Sequence, residues 1–279
     1  FHTAALLGVA KLLGEQKEQI KGTVILLFQP AEEAEHGGEK VVDTGIFEKY
    51  KIEKVFGLHT RPNLPVGTIA IAPGPFAAAV DRFLYTVKGM GCHGSAPQTG
   101  LDPIPAAARL VGSLQEIVSR RISPLETAVI SVTRFTSGTS WNIIPGEAEL
   151  EGTVRTFNPE VRAQIVKLMQ AQAEGLEKEG YQVEFKWLPG CPATNNDEQL
   201  SELVRKEAVE EKFHVTLQHP EMGGEDFSCY QELVPGAFFH VGTGGDYPAH
   251  NSKFTVDPAA LAGASRLMSE IVKKALTAS

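Results

Sequence analysis

The middle third of the chain carries a pattern of strands and helices that differs from the pattern on either side of it. Its predicted elements follow the order β-α-β-β-α-β, and they cover residues 80–88, 103–121, 128–136, 148–157, 159–179 and 181–188. This order is the split βαβ arrangement, which folds as one compact layer of helices on a sheet. Turn-rich sequence near Pro75 and Pro189 bounds the segment on both sides. The pattern therefore predicts an inserted domain.

The flanking segments alternate short apolar strands with helices, as α/β folds do. The predicted elements there cover residues 3–14, 23–29, 54–59, 68–72, 197–213, 237–241 and 257–278. The continuous apolar run at 23–29 is typical of a buried parallel strand. We therefore predict an α/β fold in which residues 1–76 and 189–279 form one discontinuous domain with a mainly parallel sheet. An α+β ferredoxin-like domain, residues 77–188, interrupts it.

Composition and charge exclude several classes of protein. The formal net charge is −8 and the sequence pI is about 5.6, whereas nucleic-acid binders usually carry a basic stripe. No apolar run approaches the roughly 18 residues that predict a membrane span. The 3 cysteines form no CxxC pair, which favours a reducing, cytoplasmic setting over a disulfide framework. The chain begins at Phe1 without a methionine and enters a helix at once, so we expect the first part of its domain to be missing.

Two adjacent carboxylates, Glu32 and Glu33, follow the predicted strand at 23–29 and Pro30. Ligands and catalytic groups collect at the carboxyl ends of strands in α/β sheets. One glutamate of such a pair can bind a metal while the other takes a proton from water. The pair alone also fits an acidic helix start, because the helix dipole favours negative charge there.

Two histidines lie in comparable positions. His59 ends the predicted strand at 54–59, and His250 lies in a polar loop before the last predicted helix. Each can bind a metal through one ring nitrogen. Each can equally be an ordinary hydrogen-bonded histidine, so neither residue alone predicts a site.

Other polar segments offer groups for substrate binding. Gly223 and Gly224 precede a predicted helix start, where backbone can approach a ligand closely or simply form a turn. His93 lies in a glycine-rich segment and Asn142 in a loop, while Arg155 lies on a predicted strand. Arginine and asparagine suit a carboxylate partner.

Seven segments of the chain together resemble the aminoacylase/carboxypeptidase family of metallohydrolases. In order, they are FHTAALLG, FQPAEE, GLH, GCHGSAP with GLDPI, NIIPGEAELEGTVRTF, GGEDF and AHNSKF. The resemblance is to the amidohydrolase branch, which includes hippurate hydrolases, indole-acetyl-amino-acid hydrolases and N-acetyl-diaminopimelate deacetylases. It covers essentially the whole chain. It implies that residues 1–76 and 189–279 are the catalytic metal-binding domain and that residues 77–188 are a lid or dimerisation domain.

The resemblance also implies an activity and a cofactor. The activity is metal-dependent hydrolysis of the amide bond of N-acyl amino acids, with one or two divalent ions (Zn, Mn, Co or Ni) as cofactor. Glu32 then corresponds to the general acid/base that activates water. Glu33, His59 and His250 correspond to metal ligands.

The same resemblance also implies which residues surround the substrate. His93 corresponds to the group that stabilises the oxyanion, often in the site of a neighbouring subunit, so a homodimer is expected. Asn142 and Arg155 correspond to groups that hold the substrate carboxylate. Gly223 and Gly224 correspond to the pocket wall.

The start of the chain departs from the family pattern. In this branch a Cys-Gly-His-Asp segment, which supplies two more ligands, immediately precedes the position of Phe1. His2 remains from that motif and is not one of the usual ligands. Two alternatives stay open: an aminopeptidase or dipeptidase of the same family, or a non-catalytic binding protein on this scaffold if the chain truly starts at residue 1.

Overall fold

The computed structural model describes residues 1–33 and 37–277. In these ranges the helices are α1 (His2–Glu15), α2 (Gly37–Val42), α3 (Ile46–Tyr50), α4 (Pro103–Glu116), α5 (Pro159–Lys178), α6 (Glu198–Glu210), α7 (Ser228–Gln231) and α8 (Ala259–Thr277). The strands are β1 (Val55–Arg61), β2 (Thr68–Ile71), β3 (Gly74–Ala77), β4 (Ala79–Lys88), β5 (Cys92–His93), β6 (Ala128–Ser137), β7 (Ile143–Ile144), β8 (Glu147–Thr156), β9 (Gln182–Pro189), β10 (Thr194–Asn196), β11 (His214–Leu217) and β12 (Gly236–Gly242). Among these residues no helix is both long enough and apolar enough to span a bilayer.

The chain divides into two compact units. The first contains the described residues of Phe1–Phe76, Thr194–Glu221 and Glu225–Ser279, and the second contains Ala77–Ala193 with Met222–Gly224. The second unit thus extends beyond the predicted insert of residues 77–188. Backbone hydrogen bonds explain the difference, because they hold residues 191 and 223 to the segment at the start of β4. The catalytic and lid roles of the two units remain predictions.

The first unit is built on a mixed sheet with the strand order β1-β12-β2-β11. β1 pairs with β12 and β2 with β11 in parallel, whereas β12 and β2 are antiparallel. Every residue of β12 is buried, as expected for a central strand covered on both faces. Apolar side chains of α1, α6 and α8 join those of the sheet in one core. The predicted mainly parallel sheet is confirmed.

Residues 23–29 form no strand in the described part of the chain, contrary to the prediction. Val24 and Leu26 nevertheless pack against the core of the first unit, and they occupy alternate positions as strand residues would. Phe28 is 46% exposed. An apolar run indicates burial, but a strand also needs a neighbouring strand for its backbone hydrogen bonds. The pattern therefore predicted the packing of this segment and not its pairing.

The second unit has an antiparallel sheet with the strand order β6-β8-β4-β9. Its chain order is the predicted β-α-β-β-α-β, and side chains of α4, α5 and the sheet share one buried core. Asn158 caps α5 by accepting a hydrogen bond from the backbone N–H of Glu160 at 2.8 Å. The predicted helix at 103–121 is α-helical to Glu116 and continues as a wider turn over Ile117–Arg121.

Candidate active site

His59 lies near the carboxyl end of β1, and its hydrogen bond determines which ring nitrogen carries a lone pair. Its Nδ1 atom lies 2.9 Å from the carbonyl oxygen of Thr60. Because a carbonyl oxygen only accepts, the proton of the neutral ring lies on Nδ1. The Nε2 atom therefore presents a lone pair, which is the state that a metal ligand requires.

Two further histidines pack beside His59. The ring of His2 lies 4.4 Å from it, and its Nε2 accepts from the backbone N–H of Thr60 at 3.0 Å. His240 is the partner of His59 on β12, with ring centroids 6.1 Å apart. Burial, reinforced by His59, lowers the pKa of His2 to about 4. Burial, followed by Arg61 and His59, lowers the pKa of His240 to about 3. Both neighbours are therefore neutral at pH 7.

Sequence reasoning missed His240, because it lies within the apolar run of β12. Its Nδ1 atom is 2.8 Å from Oε1 of Gln218, whose Nε2 donates to the carbonyl of His219 at 2.6 Å. That second bond fixes the amide so that its oxygen faces the ring, and Nδ1 of His240 is the donor. The available signal was a polar residue inside a buried strand, which requires a hydrogen-bond partner.

Glu33 and His250 face each other. Oε2 of Glu33 lies 3.7 Å from Nε2 of His250, and the side chains are 73% and 74% exposed. Ala31, two residues before Glu33, has a φ of 58°, and His250 has a φ of 65°. Non-glycine residues in the left-handed region are uncommon and persist where the surrounding structure holds them. A carboxylate oxygen and an imidazole nitrogen are both groups that divalent metal ions bind in proteins.

Glu32 lies among other carboxylates. Burial, followed by Glu33 and Asp226, raises its pKa, while a hydrogen bond from the backbone N–H of Asp226 opposes the rise. Burial, followed by Glu32, raises the pKa of Glu225 to about 8. Sequence reasoning used only the glycines before these residues and missed Glu225 and Asp226. The signal it passed over was a second pair of adjacent acidic residues.

The donor chemistry around Glu33 fits a divalent cation. Burial is the main cause of the raised pKa values of Glu32 and Glu225, and neighbouring carboxylates add to it; a cation would offset both effects. Within residues 1–33 and 37–277, no three His, Cys, Asp or Glu side chains are grouped closely enough to hold an ion. The structure thus brings Glu33 and His250 together and does not group His59 with them.

β5 and β7 bring together the loops of His93 and Asn142 in the second unit. The backbone N–H of Gly94 donates to the carbonyl of Asn142 at 2.8 Å. The backbone N–H of Ser95 donates to Nδ1 of His93 at 3.2 Å, so the proton of the neutral ring lies on Nε2. His93 is exposed, and its Nε2–H can donate to a ligand. Asn142 accepts from Ser140 through Oδ1, so its amide nitrogen is the group that can donate.

Arg155 lies on β8, in the same unit as Gly223 and Gly224. Its Nη1 atom donates to the carbonyl of Met222 at 3.4 Å. A Cβ atom on Gly224 would lie 2.3 Å from Cγ2 of Val80, so no larger residue fits there. The predicted substrate-binding arginine and the glycine pair therefore lie in one part of the second unit.

Comparison with known proteins identifies the family. Residues 1–274 match Peptidase family M20/M25/M40. The chain is 43% identical over 272 residues to N-acetylcysteine deacetylase of Bacillus subtilis (strain 168), covering 97% of this chain and 71% of that protein. It is 43% identical over 277 residues to N-acetyl-L-cysteine deacetylase of the same organism, covering 99% of this chain and 66% of that protein. The chain thus spans 66% to 71% of the length of these two relatives.

A solved structure supports the same conclusion. A dinuclear metal binding peptidase of the M20 family from Bacillus subtilis superposes with a TM-score of 0.86 at 40% identity, covering 99% of this chain and 72% of that chain. The predicted α/β fold class is confirmed by this likeness. The predicted enzyme class, a metal-dependent amidohydrolase of the N-acyl amino acid type, is confirmed by the relatives. The chain belongs to peptidase family M20/M25/M40, the family that its seven motifs predict.

Proposed function

We propose that the protein that carries this chain removes the acyl group from N-acyl amino acids, with a divalent metal ion as cofactor. The observation that carries the proposal is the contact between Glu33 and His250, with Glu32 adjacent in the same loop. The 43% identity to N-acetylcysteine deacetylase supports a small acyl group, acetyl, on the substrate. The proposed reaction is hydrolysis of an N-acetyl amino acid to acetate and the free amino acid.

The proposed metal ligands are Glu33, His250 and His59. Glu33 supplies a carboxylate oxygen and each histidine supplies a ring nitrogen. The lone pair on Nε2 of His59 supports its part in this set. A mixed nitrogen and oxygen set suits Zn, Mn, Co or Ni, as one or two ions. When bound, such an ion makes water a stronger acid and polarises the scissile carbonyl.

The proposed general acid/base is Glu32. It takes a proton from the attacking water and delivers it to the leaving amine. Burial and its acidic neighbours raise the pKa of Glu32, which moves it toward the range where a carboxyl group can both accept and donate protons near neutrality. The backbone N–H of Asp226 partly opposes this rise in pKa.

The second unit supplies the proposed substrate-binding groups. The Nε2–H of His93 donates to the oxyanion that forms during attack. The guanidinium of Arg155 and the amide of Asn142 bind the substrate carboxylate. Gly223 and Gly224 are proposed to form part of the pocket wall, and a Cβ atom on Gly223 would meet no described atom within 4 Å, which leaves room beside it.

The proposal includes a homodimer in the cytoplasm. Phe135, Trp141 and Ile143 of the second unit are 42%, 96% and 56% exposed, and large apolar side chains are enriched in the centres of interfaces. β6, which carries Phe135, is an edge strand of its sheet in the described structure and offers backbone groups for pairing. The odd number of cysteines without CxxC spacing supports a reducing compartment.

A substrate panel tests the proposed function. The full-length protein is assayed with N-acetylcysteine, with N-benzoyl and N-indoleacetyl amino acids, and with dipeptides that have a free amine. We expect turnover of the N-acetyl substrate, its loss after dialysis against a chelator, and its recovery with Zn, Mn, Co or Ni. Preference for dipeptides would establish an aminopeptidase or dipeptidase instead. Binding without turnover would establish a non-catalytic scaffold.

A further inference from the structure

We propose that Asp226 is the positioning residue for the segment that carries Glu32 and Glu33. Asp226 lies just before α7 and is 5% exposed. The inference rests on the proposed function, because the position of the segment matters only if Glu32 and Glu33 act in the reaction. Its physical basis is a set of contacts that involve both the side chain and the backbone of Asp226.

One oxygen of Asp226 binds both ends of the segment. Its Oδ2 atom accepts a hydrogen bond from Nε2 of Gln29 at 3.0 Å and another from the backbone N–H of Gly38 at 2.8 Å. Gln29 precedes Glu32 and Glu33 in the chain, and Gly38 follows them. A single buried carboxylate therefore joins the start and the end of the segment. Hydrogen bonds to an ionised acceptor are among the stronger ones in proteins.

The backbone N–H of Asp226 also acts on the proposed base, because its interaction with the carboxylate of Glu32 partly opposes the rise in the pKa of that group that burial causes. A shift of Asp226 would therefore affect both the ends of the segment and Glu32.

Neighbouring residues hold Gln29 and the two glycines of the segment in the positions that these hydrogen bonds require. The hydroxyl of Tyr230 donates to Oε1 of Gln29, which turns the Nε2 of that amide toward Asp226. A Cβ atom on Gly37 would lie 1.8 Å from the carbonyl oxygen of Pro30, and a Cβ atom on Gly38 would lie 2.6 Å from the carbonyl oxygen of Asp226. The two glycines are therefore required for the close approach of the backbone that the hydrogen bonds need.

Three variants of the full-length protein separate positioning from general destabilisation. Asp226→Ala removes both side-chain hydrogen bonds. Asp226→Asn keeps an oxygen that can accept from the N–H of Gly38. Its new amide N–H can donate to Oε1 of Gln29 once the amide of Gln29 rotates to exchange its oxygen and nitrogen. Asp197→Ala is the matched control, because Asp197 accepts from the backbone N–H of Leu200 at 2.9 Å as the cap of α6.

The readouts are hydrogen exchange of the amides of residues 31–33, 37 and 38 without substrate, and kcat and KM for an N-acetyl amino acid. Asp226→Ala should exchange faster at these amides and lose about 10²-fold in kcat with a smaller change in KM, as a displaced catalytic group does. Asp226→Asn and Asp197→Ala should stay close to the unmodified protein in both readouts. If Asp226→Ala does not fold, Gln29→Leu should show a smaller increase in exchange, because it removes one of the two bonds.

Unchanged exchange in Asp226→Ala would overturn the proposal, as would an equal loss of kcat in Asp197→Ala. Failure of the proposed function gives a different result. An active Glu32→Gln variant would refute the role of the base, whereas faster exchange in Asp226→Ala would still support the positioning of the segment.

Discussion

The Oε2 atom of Glu33 lies 3.7 Å from the Nε2 atom of His250, although the two residues lie near opposite ends of the chain. Both side chains are largely exposed, and exposed ion pairs contribute only about 0–1 kcal/mol to stability. Folding stability therefore does not explain the contact. His250 adopts a left-handed backbone, as does Ala31 before the two glutamates, and such conformations concentrate at functional sites. The contact agrees with the proposal that both side chains bind one cation.

Glu225 should make the chelator-treated protein less stable as the pH rises. Its pKa is about 8 in the folded state against an ordinary value of 4.5, so folding favours the protonated form. The stability that this group contributes is complete below pH 4.5 and is lost as the pH rises through 8. Glu225→Gln is neutral at every pH. Relative to the unmodified protein, the free energy of unfolding of Glu225→Gln should therefore increase between pH 5 and 8. Denaturant titrations at a series of pH values would measure this change. A difference that stays constant with pH would contradict the assignment.

The sequence predicted the elements of the second unit closely, because local signals specify them. β4 alternates buried and more exposed residues, and α5 begins at a side-chain cap and a proline. Residues 23–29 were predicted as a strand from the same kind of signal and form none among the described residues. Pairing depends on a neighbouring strand, which an apolar run does not encode.

The candidate site was predictable only where a motif marks it. Glu32, Glu33, His59 and His250 lie in recognisable segments, but the sequence could not indicate which of them meet. His240 and Asp226 were missed because their roles come from contacts with distant residues, Gln218 and Gln29. The sequence marks these residues, one as a polar residue in a buried strand and the other as one of two adjacent acidic residues, but their partners follow from the tertiary fold.

Removal of Asp81 should destabilise the second unit strongly. Asp81 is 1% exposed and accepts hydrogen bonds from Nε of Arg162 at 2.8 Å and from the backbone N–H of Gly190 at 3.2 Å. Breaking a buried ion pair costs about 3–5 kcal/mol, so Asp81→Ala should lower the free energy of unfolding by that amount.

Tryptophan fluorescence measures this effect, because Trp141 and Trp187 both lie in the second unit. The control is Arg205→Ala, which removes an exposed ion pair with Glu202 and should leave the transition in place. A transition in Asp81→Ala that is as little changed as the control would contradict the prediction.

His93 should act on the substrate of a neighbouring subunit. Its ring is exposed with the proton on Nε2, as a donor to an oxyanion requires. His93→Ala and Glu32→Gln proteins should each be inactive, and a mixture that has exchanged subunits should regain activity, because a heterodimer contains one intact site. The measurement is turnover before and after exchange, with differently tagged subunits to show that heterodimers form. Absence of recovery in demonstrated heterodimers would place His93 in the site of its own subunit.

Metal content and turnover of Glu32→Gln and Glu33→Gln test the central claim most directly. The two residues are adjacent in the chain, but Glu32 is proposed to carry a proton and Glu33 to bind the metal ion. Glu32→Gln should retain the metal and lose about 10²–10⁴-fold in turnover, as loss of a general base does. Glu33→Gln should purify with little metal, and its activity should return only at high metal concentration. Equal metal content in the two variants, or full activity in Glu32→Gln, would contradict the account.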